Sequence, residues 1–324
     1  MPPLLTLADL QAAAEVLQAS PHVRRTPLLD AGCLVGKELR LLLKLENTQV
    51  TGSFKIRGMV NVFGRLSPEE LQRGAVTMSA GNAGLSFSFL AGQLGADAVV
   101  CMPSTVPPER VAKVEAMGAK VTQAPSAELK ARVDKYVSED GRHFVHPFDD
   151  LSLMAGHGTC GLEILADCPD VDVVFVCCGG GGLVGGIAAA MKLSGSNARV
   201  FAVEPEGAPS MHLSVERQEV QKLDSTSTIA HGLAPPFAGA HCYEHVREFA
   251  DGVLLVTDAE LRAAMRVLYG VGLVTEPSGC AGVAAAMFDK VPGGLKPGSK
   301  VACVVSGSNI SPEVFADLLS ERPI

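Results

Sequence analysis

The sequence predicts an α/β protein with two parallel-sheet domains that carry helices on both faces, and three observations support this prediction. Apolar runs of strand length alternate with helix-length segments through most of the 324 residues. The alternation falls into an early and a later series, which indicates two sheets. Loops rich in glycine and serine follow several of the apolar runs. Strands separated by helix-length crossovers pair in parallel, with helices covering the sheet.

The first elements are indicated by capping and periodicity. Residues 6–9 read TLAD, the pattern of a capping box, and predict a helix that continues to about Leu17. Residues 39–45 are mostly leucine and predict a strand. Residues 53–66 predict a helix, because one helical face collects the apolar side chains of Ile56, Met59, Val60, Phe63 and Leu66.

The remaining elements follow the same alternation. In the early series the predicted strands are 75–79, 96–102, 120–123 and 143–147, and the predicted helices are one from 83 and those at 108–117 and 127–137. In the later series the strands are 171–178, 199–204 and 300–305, and the helices are one around 161–166 and those at 182–193, 258–269 and 279–288. Between 204 and 258 the chain is irregular and contains several Pro and His residues.

The composition fits a cytoplasmic enzyme. Hydrophobic residues make up 47% of the chain, enough to bury a large core. A formal net charge of −8, without a basic cluster, argues against nucleic acid as a partner. The sequence has no apolar run of membrane-spanning length and no signal-peptide pattern. Nine cysteines without CxxC spacing indicate reduced core residues.

Lys55 is the strongest candidate for a catalytic residue. Residues 51–58 read TGSFKIRG, which places this lysine inside an otherwise apolar-periodic stretch. A lysine in such a place can be an ordinary surface residue whose stem covers apolar atoms. Alternatively, its amine is desolvated, loses its proton readily and bonds to a carbonyl carbon. Lys55 alone does not decide between the two interpretations.

Four consecutive glycines, Gly179 to Gly182, follow an apolar strand and begin a predicted helix. Backbone N–H groups at a helix N-terminus bind phosphate, and glycine lets them converge. A dinucleotide fingerprint is the alternative, since Gly180, Gly182 and Gly185 match GxGxxG and Glu204 ends the next strand. That alternative, a nicotinamide-dependent oxidoreductase, leaves the early series and Lys55 without a role.

Two further loops lie where a strand ends. Residues 79–84 read SAGNAG, and small residues at a helix start can hold a substrate carboxylate, while Asn82 can bond a phenolic oxygen. Residues 306–309 read SGSN, and Ser306 can direct its hydroxyl at a ring nitrogen. Together with Lys55 and the glycines, these loops meet the needs of a pyridoxal-phosphate enzyme that acts on an amino acid.

The TGSFKIRG, SAGN, GGGG and SGSN segments resemble, in order, those of the serine/threonine dehydratase and serine racemase family. These are pyridoxal-phosphate enzymes of fold type II (tryptophan synthase β-like). The resemblance implies a large cofactor-binding domain over 1–69 and 147–324 and a small mobile domain over 70–146. It also implies that Lys55 carries the cofactor as a Schiff base. The other implied cofactor contacts are Phe54, Asn82, Gly179, Gly180, Gly181, Gly182, Leu183, Glu276 and Ser306. The implied substrate contacts are Ser79, Ala80, Gly81, Asn82 and Ala83.

Ala80 favours a dehydratase over a racemase. In similar racemases the second residue of this loop is a serine that donates a proton on the cofactor face opposite the lysine. Alanine carries no exchangeable proton, so we expect elimination of water from L-serine or L-threonine, with pyruvate or 2-oxobutyrate and ammonia as products. An amino-acid (serine or aspartate) racemase on the same scaffold is the alternative. We expect a homodimer and no membrane or nucleic-acid partner.

Residues 204–210 read EPEGAPS and resemble the family's cation site. Glu204, the Ala208 carbonyl and Ser210 would be the ligands. Because a single carboxylate suits a monovalent ion better than a divalent one, K⁺ is the expected cation. Alternatively, Glu204 is a helix-start carboxylate. Glu276 could likewise cap the next helix. His146 and His157 flank the crossover between domains and could reach the site, but such histidines are more often structural.

Overall fold

The computed structural model describes residues 2–34 and 39–320, and these residues form two sheets. In spatial order the larger sheet contains β1 (Leu28–Asp30), β2 (Arg40–Lys44), β10 (Lys300–Val304), β7 (Val173–Cys177), β8 (Arg199–Pro205) and β9 (Gly252–Val256). The smaller sheet contains β5 (Lys120–Ala124), β4 (Ala98–Pro103), β3 (Ala75–Met78) and β6 (His143–Val145). Every pairing is parallel except β1 with β2. The predicted fold class is confirmed.

The helices lie between the strands. They are α1 (Leu7–Ala19), α2 (Lys55–Phe63), α3 (Pro68–Arg73), α4 (Asn82–Leu94), α5 (Pro108–Glu115), α6 (Leu129–Asp140), α7 (Leu151–Asp167), α8 (Gly182–Leu193), α9 (Ser210–Arg217), α10 (Ala240–Phe249), α11 (Asp258–Gly270), α12 (Ala281–Met287) and α13 (Pro312–Ser320). Within the described ranges, we find no helix both long enough and apolar enough to cross a membrane.

Capping and periodicity located most helices correctly. Thr6 and Asp9 form the predicted capping box, and α1 continues two residues beyond Leu17. The predicted helix at 53–66 is wrong at both ends, since α2 covers only Lys55–Phe63. Its start is delayed because Ser53 forms a β-bridge with Gly307 and the Phe54 N–H donates to the Ser306 carbonyl.

Helix α7 is much longer than the predicted segment at 161–166. The Asp150 side chain caps its start by accepting from the Leu153 N–H, at 2.7 Å. Glycines hid the helix from sequence reasoning because they disfavour helix interiors. Here they permit close packing: a Cβ on Gly156 would lie 2.6 Å from the Arg57 carbonyl oxygen, and one on Gly158 would lie 2.8 Å from that of Gly186.

Several shorter elements were not predicted from the sequence, and one predicted helix divides in two. The elements without a prediction are β1, β9, α3, α9, α10 and α13. The helix predicted at 279–288 is a 3-10 turn over Pro277–Cys280 followed by α12. Eight cysteines are buried and unpaired, as the sequence predicted, while the side chain of Cys33 lies outside the described part.

The apolar face of α2 packs against the helices of the smaller sheet. Ile56, Met59 and Phe63 belong to the same core cluster as Phe87 and Met102, and the rings of Phe63 and Phe87 lie 5.6 Å apart. The larger sheet has its own core around β7, β10 and α8. Lys55 therefore begins a helix that contacts both halves of the fold. The domain boundaries at 69/70 and 146/147, and the mobility of 70–146, stay predictions.

Candidate active site

The Lys55 amine lies at the junction of several loops. It is on the first residue of α2, and its Nζ donates to the Pro147 carbonyl oxygen at 2.7 Å and lies 4.9 Å from the centroid of the Phe54 ring. Burial lowers the pKa of this amine to about 8. A lysine with this pKa is neutral far more often near neutral pH than an exposed one, so it can act as a nucleophile or a base.

The Phe54 ring packs against a buried histidine, His157. The rings of Phe54 and His157 meet edge to face at 4.8 Å. Burial lowers the pKa of His157 well below 6.5, and the charges of Lys55 and Arg57 lower it further. Neither ring nitrogen has a hydrogen-bond partner among residues 2–34 and 39–320. The neutral ring packs tightly, because a Cβ on Gly58 would lie 2.4 Å from its Cε1 atom.

The four glycines connect β7 to α8, as predicted. Gly181 has a φ of +99°, which favours glycine, and Gly182 is the first residue of α8. Gly180 lies so close to Phe148 that a Cβ would be 2.2 Å from the ring. Leu183 follows in the first turn and is buried. The loop thus brings backbone N–H groups to the start of a twelve-residue helix, the arrangement that binds phosphate.

The loop after β3 leads into α4 in the same way. Gly81 precedes the helix and supplies no capping side chain, while the Ser79 hydroxyl accepts from the Gly81 N–H at 3.2 Å. Ala80 is half-buried, and Ala83 is buried within the first turn. A Cβ on Gly84 would lie 2.4 Å from the Ser79 carbonyl oxygen, so the turn is tight. This helix start can receive a carboxylate.

Asn82, at the start of α4, bonds two residues from the later part of the chain, Glu276 and Asn309. Its Nδ2 donates to Glu276 Oε1 at 2.6 Å, and its Oδ1 accepts from Asn309 Nδ2 at 2.8 Å. Burial raises the pKa of Glu276 to about 7, against the opposing effect of the Asn82 hydrogen bond. Glu276 occupies the N-cap position of the turn at Pro277–Cys280, but its side chain makes no capping hydrogen bond. Asn309 was missed as a site residue, although the sequence analysis singled out its SGSN segment.

Ser306 is buried at the end of β10 and fixed by its backbone. Its N–H donates to the Gly279 carbonyl at 3.2 Å, and its carbonyl accepts from the Phe54 N–H at 3.1 Å. Burial raises the pKa of neighbouring Cys177 to about 11, despite a hydrogen bond with Ser306, so this thiol stays protonated. Ser306 therefore lies directly beside the segment that carries Lys55.

A buried ion-pair network lies behind Lys55, and sequence reasoning missed it. Arg57 is 1% exposed and binds both carboxylate oxygens of Glu46 at 2.8 Å. It also contacts both oxygens of Glu163, at 2.7 and 2.8 Å, and Lys44 reaches Glu163 at 2.6 Å. Thr26 donates to Glu46 at 2.5 Å. The network fixes the first turn of α2 and thus the backbone position of Lys55.

Glu204 and Ser210 come together, but not as an evident metal centre. Glu204 accepts from the Met211 and His212 N–H groups at 2.8 and 2.7 Å, and Ser210 Oγ lies 3.5 Å away. Burial raises the pKa of Glu204 to about 8, against these hydrogen bonds. Ala208 is buried in the same turn. No cluster of three or more His, Cys, Asp or Glu side chains in the described ranges could hold a metal ion. Glu204 acts as a helix-start carboxylate, and the K⁺ site stays a prediction.

The donors around Lys55 fit pyridoxal phosphate. A desolvated amine suits an aldehyde, and the helix start at Gly182 suits a phosphate. Asn82 keeps a second amide hydrogen for a ring hydroxyl, because Glu276 takes only one of the two. The Ser306 hydroxyl suits a ring nitrogen. Most of the sequence-predicted cofactor and substrate residues lie on loops at strand ends or in the first turns of α2, α4 and α8. The exceptions are Phe54, just before α2, and Glu276, just before the 3-10 turn at Pro277–Cys280.

Comparisons with known proteins agree with this chemistry. The family model described as pyridoxal-phosphate dependent enzyme matches residues 19–307. The chain is 36% identical to an L-threonine ammonia-lyase of Thermotoga maritima, over 98% of this chain and 79% of that protein. It is 34% identical to a catabolic L-threonine dehydratase of Staphylococcus aureus, over 95% of this chain and 90% of that protein. Maize serine racemase superposes with a TM-score of 0.91 at 31% identity, over 97% of each chain.

Proposed function

The chain belongs to the family of pyridoxal-phosphate dependent enzymes, and from this premise we propose that it is an ammonia-lyase for L-serine and L-threonine. The products are pyruvate or 2-oxobutyrate and ammonia. The observation that carries the proposal is the buried Lys55 amine, which bonds the Pro147 carbonyl in the loop after β6 and has its pKa lowered to about 8. The preceding residue, Phe54, bonds Ser306 in the loop after β10. Similarity to the ammonia-lyase and dehydratase described above supports the reaction class.

The chain's own residues position the cofactor and the substrate. Bound pyridoxal phosphate supplies an electron sink for the bond broken at the α-carbon of the amino acid. Lys55 is the attachment point, and residues 179–183 hold the phosphate at the start of α8. Asn82 and Ser306 bond the ring hydroxyl and the ring nitrogen. Glu276 orients the Asn82 amide through the 2.6 Å hydrogen bond.

Lys55 is also the base for the reaction. The substrate carboxylate binds at the start of α4, among residues 79–83, which turns the Cα–H bond toward the lysine. The neutral amine accepts the α-proton, and the Pro147 carbonyl at 2.7 Å keeps the amine in place. Loss of the β-hydroxyl removes water, and hydrolysis of the resulting product returns one water, so the net reaction is amino acid to 2-oxo acid plus ammonia.

Two alternative functions have less support. A racemase is suggested by the similarity to maize serine racemase, but Ala80 offers no proton for the second face of the α-carbon. The dinucleotide alternative is wrong, because the family model covers the GxGxxG segment and Lys55 together. In this chain those glycines serve close packing, with Gly180 against the Phe148 ring.

The cation, the oligomer and the location of the protein are part of the proposal. If Glu204 and Ser210 hold K⁺, adding KCl in place of the tetramethylammonium salt raises the thermal midpoint of the wild type but not of Glu204→Gln. Equal effects on both proteins would contradict the K⁺ site.

The oligomer and the location are tested separately. Light scattering on the purified protein checks the homodimer, and cell fractionation checks the cytoplasmic location.

The decisive experiment is a keto-acid and chirality assay with L-serine and L-threonine. We expect pyruvate and 2-oxobutyrate with equal amounts of ammonia, and no product from Lys55→Ala. Lys130→Ala is the matched control, because this lysine is largely exposed and pairs with Asp134 on the surface of α6. Accumulation of D-serine without keto acid would contradict the proposal and favour the racemase.

A further inference from the structure

His146 lies at the edge of the smaller sheet where the predicted substrate loop begins. It directly follows β6, which pairs in parallel with β3, and Val145 lies opposite Thr77 in that pairing. The carboxyl ends of the two strands therefore lie side by side. One continues into the loop that begins at Ser79, and the other into His146 and Pro147. The Pro147 carbonyl accepts from the Lys55 amine at 2.7 Å. His146 thus precedes the residue that bonds the catalytic amine and lies at the sheet edge where the substrate loop begins.

Backbone hydrogen bonds fix the tautomer of His146. Its Nδ1 accepts from the Phe148 N–H at 3.2 Å and from the Asp149 N–H at 2.8 Å. A nitrogen that accepts two hydrogen bonds carries no proton, so the neutral ring carries its proton on Nε2. Among residues 2–34 and 39–320, Nε2 has no hydrogen-bond partner, and it is not sealed from solvent. The ring therefore offers one free N–H donor.

The surroundings keep this ring neutral and in place. It meets Phe148 edge to face at 4.6 Å and Phe144 at 5.8 Å. Burial lowers the pKa of His146, and the Lys55 charge lowers it further, while Asp149 opposes both. Protonation at Nδ1 would also break both backbone hydrogen bonds. The ring can consequently donate a hydrogen bond near neutral pH, but it is a poor source of a proton.

We propose that the Nε2–H group of His146 donates a hydrogen bond to the β-hydroxyl of the substrate and so selects β-hydroxy amino acids. This inference rests on the proposed ammonia-lyase function. As the Cβ–O bond breaks, the oxygen keeps the bonding electron pair, takes up the proton that Lys55 removed from the α-carbon, and leaves as water. The His146 bond stabilises the charge on that oxygen without transferring a proton, as preorganised donors do for developing anions.

The test compares L-serine with β-chloro-L-alanine on each enzyme preparation. Chloride leaves readily and accepts hydrogen bonds poorly, so its loss should not need His146. In His146→Asn the side-chain oxygen still accepts from the two backbone N–H groups, but no donor reaches the position of Nε2–H. In His146→Gln the longer side chain places an amide N–H close to that position. The measured quantity is kcat/KM for L-serine divided by kcat/KM for β-chloro-L-alanine, both taken from initial rates. This ratio does not depend on the fraction of folded or cofactor-loaded enzyme.

The expected result is a ratio that falls about 10²-fold in His146→Asn, by analogy with the loss of an oxyanion donor, and less in His146→Gln. His143→Asn, at the start of the same strand, is the control and should keep the wild-type ratio. An unchanged ratio in His146→Asn would overturn the inference. If kcat/KM falls equally for both substrates, the ratio is unchanged and the role of His146 is structural. If the wild type forms no keto acid from L-serine, the proposed function itself fails, which is a different outcome.

Discussion

The Arg57 network provides the sharpest prediction for stability. Arg57→Met keeps an unbranched apolar side chain of similar length but removes the charge. Glu46, which is fully buried, then loses both of its 2.8 Å partners on the guanidinium. It keeps one hydroxyl and one amide donor and the weaker influence of the Lys44 charge. Breaking a buried ion pair on one side costs about 3 to 5 kcal/mol, because the remaining charge is desolvated without compensation. We expect this loss in the free energy of unfolding.

An exposed ion pair of the same length provides the control. Arg40 Nε lies 2.8 Å from Asp30 Oδ2, the distance found between Arg57 and Glu46, but both of these side chains are 53% exposed. Exposed pairs contribute little, so Arg40→Met should leave the urea midpoint unchanged. The two contacts have the same length and differ in burial, although Arg57 binds Glu46 through two nitrogens and also binds Glu163, whereas Arg40 makes a single contact. If Arg57→Met and Arg40→Met shift the midpoint equally, the argument from desolvation is refuted.

The pH dependence adds an independent check on the same network. Burial alone would raise the pKa of Glu46, but the charge and hydrogen bonds of Arg57 outweigh it and lower the pKa. In the wild type this carboxylate therefore adds stability above its unfolded pKa of about 4.3, which is lost as the pH falls through the lower folded pKa. In Arg57→Met burial dominates and raises the pKa, so the charged group destabilises the fold near neutral pH. The stability difference between the two proteins should shrink as the pH falls from 7 to 5, and a constant difference would exclude Glu46 as its source.

Three further predictions concern the site. Gly180→Ala places a Cβ 2.2 Å from the Phe148 ring, so we expect weaker pyridoxal-phosphate binding in an absorbance titration, whereas Gly270→Ala meets no atom within 4 Å and should bind normally. Ala80→Ser restores a hydroxyl on the face opposite Lys55 and should yield D-serine from L-serine in a chiral assay; its absence would mean that this position does not decide between elimination and racemisation. Glu276 has a pKa raised to about 7, so its contribution to stability is lost as the pH rises from about 4.3 to 7. As the pH rises over that range, the thermal midpoint of cofactor-stripped Glu276→Gln should therefore rise relative to that of the cofactor-stripped wild type. If the two midpoints change in parallel with pH, the raised pKa of Glu276 is contradicted.

Local signals in the sequence were sufficient for the fold class, and they predict where the site lies. The alternation of strand- and helix-length segments predicted the parallel sheets, and capping predicted where α1 begins. Parallel strands end at one edge of a sheet, so the loops at 79–84, 179–182 and 306–309 could be expected to meet there. The glycines 179–182 and the start of α8 were correct to the residue, because glycine and a helix start leave a strong local pattern.

Other features depended on contacts between distant parts of the chain. Asn82 meets Glu276 and Asn309, which lie 194 and 227 positions further along, and Arg57 meets Glu163 at a separation of 106. No local pattern encodes such pairs, so the network behind Lys55 and the role of Asn309 were not predicted.

By itself, then, the sequence determined most of the elements, the loops and the residue types that pyridoxal phosphate requires, since these follow from propensity and spacing. Only the tertiary structure decided the length of α7, the tautomer of His146 and the lowered pKa of Lys55. Close packing, hydrogen-bond partners and desolvation arise only when separate segments are brought together.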